Sequence, residues 1–96
     1  MHPSDGEGFE WDEWNERELA RHRISPWEVE DVFGNSPKWA PNKIAGSGEW
    51  KMVGRTEGGR PMTIVLDVNV RNRWLRVITG WSPPTGQEQA KYLDKA

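Results

Sequence analysis

Cysteine is absent from this 96-residue sequence. Its absence excludes disulfides, thiolate zinc sites and a cysteine nucleophile, and it permits a reducing compartment. Long apolar runs are missing too. No stretch approaches the roughly 18 residues of a membrane span, and the polar start MHPSDGEG has no apolar segment of the kind a secretory signal carries. The chain is therefore expected to be soluble and cytoplasmic, with no membrane partner. Phe and Tyr are scarce, at two and one, whereas Trp occurs seven times. Each indole joins a large apolar area to an N–H that needs an acceptor, which suits the margins of a small core, an interface, or stacking against bases. Most of these rings are expected to fill the core.

The length fits one domain, large enough to bury a single core with little stability to spare. The net charge of −2 hides an asymmetry. Residues 1–48 carry ten Asp or Glu against five Lys or Arg, and residues 49–96 carry five against eight. The acidic half reads as helical and the basic half as strand-rich. A basic sheet face suits phosphate, although a pI near 5.7 lies well below that of obligate nucleic-acid binders.

Residues 1–8 have no periodicity and read as a frayed terminus, leaving 9–96 as the domain. A strand over Phe9 to Trp11 leads to Asp12, placed to cap a helix that runs to about Arg23. Trp11, Asn15, Leu19 and His22 fall near one face of it. Ser25-Pro26-Trp27-Glu28 is a helix start in which Ser caps, Pro takes the first position and Glu reaches back. That second helix carries Val29, Val32 and Phe33 and ends at Gly34-Asn35. Residues 35–48, with two prolines and two glycines, read as loop. Three strands follow, Glu49 to Arg55, Pro61 to Val70 and Arg73 to Trp81, joined by compact turns into an antiparallel meander. The middle strand alternates in a way that predicts helices on one face of the sheet only. Thr85 and Glu88 form a capping box that opens a short last helix through Ala90, Tyr92 and Leu93.

This order resembles the BrnT toxins, small bacterial ribonucleases with a RelE-like fold. The resemblance is carried by Phe9, Trp11, Asp12, Asn15, Leu19, His22, Ile24 and Glu28, by Gly54-Arg55-Thr56 with Gly59-Arg60, by Arg76-Val77-Ile78-Thr79-Gly80, and by Pro84-Thr85, Glu88 and Tyr92. It spans about residues 9–93. It implies an α+β fold in the order β-α-α-β-β-β-α, with an antiparallel meander packed on helices on one face. It further implies the toxin of a type II toxin–antitoxin pair, a metal-independent endoribonuclease, with RNA as substrate and a ribbon-helix-helix antitoxin as partner. Two places depart from the pattern: Trp81 stands where the family has a second arginine, and Gly48 and Glu49 replace basic residues before Trp50.

Metal-free RNA cleavage needs a base for the 2′-hydroxyl, an acid for the leaving oxygen, and cations for the transition-state charge. The catalytic candidates are His22 and Glu49 as acid or base, with Arg55 and Arg76 on the phosphate. Lys51, Arg60, Arg73, Trp74 and Trp81 are candidates for binding RNA. No cofactor or metal site is expected. Each candidate also has a structural reading. His22 can simply close a helix, Glu49 can guard a sheet edge, and Arg76 between Leu75 and Val77 must pair with an acid if it is buried. Two rival functions follow: a catalytically degenerate toxin fold that serves as a binding or regulatory module, and a homodimer formed through the tryptophans.

Overall fold

The computed structural model describes residues 1–43 and 48–94. It is an α+β fold built on one mixed sheet. The strands are β1 (Gly8–Phe9), β2 (Lys38–Pro41), β3 (Trp50–Arg55), β4 (Pro61–Val68) and β5 (Trp74–Trp81); the helices are α1 (Glu13–Arg21), α2 (Pro26–Phe33) and α3 (Gly86–Glu88), the last running on as a π-helical turn over Gln89–Leu93. Sheet order is β1-β5-β4-β3-β2. Strands β3, β4 and β5 form the expected antiparallel meander, and β1 joins β5 in parallel. No helix among the described residues is long and apolar enough to cross a membrane.

The helix starts follow from their caps. Asp12 accepts from the Asn15 amide while the Asn15 side chain accepts from the Asp12 amide, and Glu28 accepts from the Ser25 amide at the start of α2. Helix α1 ends at Arg21, two residues before the expected stop. The Ile24 amide donates back to the Leu19 carbonyl, and Arg23 takes φ +59°, the left-handed close of a helix that glycine usually supplies. This compact stop turns the chain directly into α2.

Leu19, Val29 and Val32 from the helices meet Met52, Met62, Ile64, Leu66, Leu75 and Val77 from the sheet, all with no exposed surface. A Cβ on Gly80 would lie 2.6 Å from Ile64 Cδ1 and 3.3 Å from Leu19 Cδ2, so the glycine lets α1 approach β5. None of the seven tryptophans is fully buried. Trp11 and Trp81 sit half-buried with their N–H groups on Glu30 and Glu88, while Trp14, Trp27 and Trp74 are exposed. The apolar volume of the centre is filled by aliphatic side chains and methionine, and the indoles flank it.

Three expectations need correction. The stretch 35–48 contains β2, where Lys38, Trp39, Ala40 and Pro41 pair with Val53, Met52, Lys51 and Trp50; its prolines hide a strand because they fall before it and at its last residue. The first residues form a 3-10 turn over Pro3–Asp5 with Pro3 buried, and the His2 ring packs 4.9 Å from Trp50 and 5.8 Å from Trp39. Lastly, the second face of the sheet is not left bare. Val53, Thr63 and Val65 on that face are buried, and the C-terminal turn packs against β3.

Candidate functional site

Glu88 is the organising residue of the covered face. The Thr85 hydroxyl accepts from its amide, as the capping box requires, and its side chain points into the sheet. There it accepts from Lys51 Nζ at 3.0 Å, Thr63 Oγ1 at 2.9 Å, Trp81 Nε1 at 2.9 Å and the Thr85 amide at 2.8 Å. Burial raises the carboxyl pKa, but the donors Trp81, Thr85, Lys51 and Thr63 outweigh it and hold the group at about 2. Glu88 is thus a fixed anion at neutral pH, too weak a base to take a proton from a hydroxyl.

A groove of about 300 Å³ opens beside this network, between the end of β2 and the C-terminal turn, with Lys43, Lys51, Glu88, Lys91 and Tyr92 among its lining. Its walls include three ammonium groups and one carboxylate, in a chain whose net charge is −2. Lys51 is half-buried and its Nζ lies 5.8 Å from the centroid of the Trp81 ring. Lys43 and Lys91 are exposed, and Tyr92 is half-buried.

The sequence-derived candidates lie in separate places. Lys51 and Trp81 come together on Glu88. The arginines instead meet carboxylates. Arg60 Nη1 lies 2.9 and 2.8 Å from the two oxygens of buried Glu28, and this pair with the Ser25 amide overcomes burial to lower the Glu28 pKa. Arg76 lies 2.7 Å from Asp12 and 3.7 Å from Glu10, with its guanidinium 5.9 Å from the Trp14 ring. The Arg76 hydrogen bond is the main reason the Asp12 carboxyl titrates low. Arg73 pairs with Glu7. Trp74 is exposed beside them on β5, its ring over Gly8. Arg55 is exposed at the end of β3 with no carboxylate partner among the described residues.

His22 closes α1, its Nε2 3.6 Å from Glu18. Glu18 also accepts from Thr79 Oγ1 at 2.7 Å, the leading cause of its lowered pKa. Glu49 is exposed ahead of β3, and its amide donates to Asp67. No hydrogen bond or ion pair joins His22, Glu49, Arg55 and Arg76 to one another among the described residues.

Sequence reasoning missed Lys43 and Lys91. Lys43 follows β2 inside the stretch read as loop, and Lys91 lies three residues beyond Glu88 on the helix that folds back over β3. Neither local pattern marks a site; only the fold-back brings them to one groove. Among the described residues, no group of three or more His, Cys, Asp or Glu is placed to hold a metal ion. No protein-family model, curated protein or solved structure matches the chain.

Proposed function

We propose that the chain is the toxin of a bacterial type II toxin–antitoxin pair, a RelE/BrnT-like domain that acts in the cytoplasm on RNA and is held in check by a ribbon-helix-helix antitoxin. The observation that carries this reading is the lysine groove beside Glu88, where positive charge collects in a concave site on an otherwise acidic molecule. Element order supports it as well: one strand, two helices, the meander and a short last helix follow the order that the resemblance implies, with β2 added ahead of the meander.

In this reading, a 2′-hydroxyl gives up its proton and attacks the adjacent phosphate, and the 5′-oxygen of the next nucleotide leaves with a proton, giving a 2′,3′-cyclic phosphate end. The ammonium groups stabilise charge gathering on the phosphate oxygens. Glu88, fixed as an anion, orients Lys51, so proton transfer falls to Tyr92 or a lysine. Of the four candidate arginines, Arg60, Arg73 and Arg76 contribute little, since acids already oppose them.

Those same pairs favour a second reading, a toxin-fold module that binds a protein partner and has lost cleavage. Induced expression in a bacterial host, together with incubation of total RNA with the purified chain, separates the two. Growth arrest with fragmented RNA is expected. Normal growth and intact RNA would leave the binding module in its place.

A further inference from the structure

Six of the thirteen Lys and Arg of this chain are opposed by acids among the described residues. Arg17, Arg21, Lys51, Arg60, Arg73 and Arg76 each hold a carboxylate within ion-pair distance. Lys43 and Lys91 hold none among the described residues, yet they face one groove, the first from the β2 side and the second from the C-terminal turn. Among the described residues the only acid in the lining is Glu88, whose charge Lys51 opposes at 3.0 Å. The groove therefore presents two uncompensated ammonium groups.

Its size and walls restrict what can fill it. About 300 Å³ is at the small end of ligand pockets and holds one nucleotide rather than a run of RNA. Tyr92 offers a half-buried phenol, and Ala40 and Pro41 add an apolar wall. Two uncompensated ammonium groups match the charge of a phosphate monoester, which is close to −2 above its second pKa of about 6; an internal phosphodiester brings only −1.

We propose that this groove binds a single nucleotide by its terminal phosphate, as a free nucleoside monophosphate or as the phosphorylated end of an RNA strand. Lys43 and Lys91 anchor the phosphate, and Tyr92 lies against the nucleoside. Lys51, held by Glu88, supplies a fixed field rather than a movable contact. The choice of a nucleotide over another phosphate monoester rests on the RNA reading of the same groove.

Calorimetric titration of the full chain with adenosine 3′-monophosphate tests this, with adenosine, glycerol 3-phosphate and the phosphodiester ApA as comparison ligands. The monophosphate is expected to bind about tenfold or more tightly than each of them, and to weaken between about pH 7.5 and about pH 5 as its phosphate gains a proton. Lys43→Met and Lys91→Met should each weaken it about tenfold, whereas Arg71→Met, which removes an exposed cation elsewhere that holds no carboxylate among the described residues, should not. Thermal midpoints of the variants should match the wild type. A short RNA with and without a 3′-phosphate separates the free nucleotide from a strand end as the preferred ligand.

Equal affinity for adenosine or ApA, equal loss in Arg71→Met, or no binding at millimolar ligand would overturn the site. Equal affinity for glycerol 3-phosphate would overturn its nucleotide part. If RNA is cleaved while the monophosphate ignores both lysines, this inference alone fails; if the monophosphate binds through them while RNA stays intact, the ribonuclease reading alone fails.

Discussion

At the scale of single residues, Glu88 carries the most consequence. Its carboxyl titrates near 2 when folded against an ordinary value of 4.5. A depressed carboxylate stabilises the fold fully above its unfolded pKa, and that contribution is lost as pH falls through the folded one. The window here is about pH 4.5 down to about 2, and the contribution is up to about 3 kcal/mol. Glu88→Gln is expected to lose about that much at neutral pH, because Lys51 and the buried donors are left without their anion. Urea midpoints measured across the window should fall less for the variant than for the wild type. Asp12, Glu18 and Glu28 also titrate low, but their decline appears in both proteins and cancels in the comparison. A variant that tracks the wild type at every pH would show the network to be idle.

At the scale of elements, the corner between α1 and α2 depends on a residue in a conformation it resists. Arg23 adopts φ +59° and is exposed, with no hydrogen bond from its side chain among the described residues. A left-handed conformation costs a non-glycine residue roughly 1–2 kcal/mol, and glycine none of it. Arg23→Gly should therefore stabilise the protein by about 1 kcal/mol, seen as a higher urea midpoint with an unchanged slope. A lower midpoint would mean that the arginine side chain contributes at this corner. The N-terminal turn and β2 support each other in a comparable way. His2 packs on Trp39 and Trp50, so the strand hidden among prolines is covered by a segment with no pattern of its own.

At the scale of the whole molecule, the Lys and Arg side chains sort into six that hold carboxylates and a remainder that hold none among the described residues. On the proposed reading, Arg76→Ala leaves growth arrest intact and lowers the thermal midpoint less than Glu88→Gln does, while Lys91→Met relieves the arrest. Loss of arrest in Arg76→Ala with an unchanged midpoint would return the phosphate to β5. Sequence made the helices and meander legible because caps and alternation are local: Asp12, Ser25 and Thr85 each announce a start, and Met62, Ile64 and Leu66 announce a face. Which cations stay available was not legible. The partners of Arg60, Arg73 and Arg76 lie 32, 66 and 64 positions away in the chain, and no local pattern reports pairing at that separation. Trp81 shows the same limit, since its ring was open to several roles until Glu88 folded back to meet its N–H.

The two rims of the sheet have one more outcome. The β2 rim is four residues that begin at an exposed lysine and finish on a proline without an amide hydrogen, so a foreign strand finds little there to zip onto. On the opposite rim Gly8–Phe9 pairs with only Trp74 and Leu75, and Arg76–Trp81 of β5 have no strand neighbour on that side among the described residues. Pairing with a foreign strand is therefore expected at β5 rather than at β2.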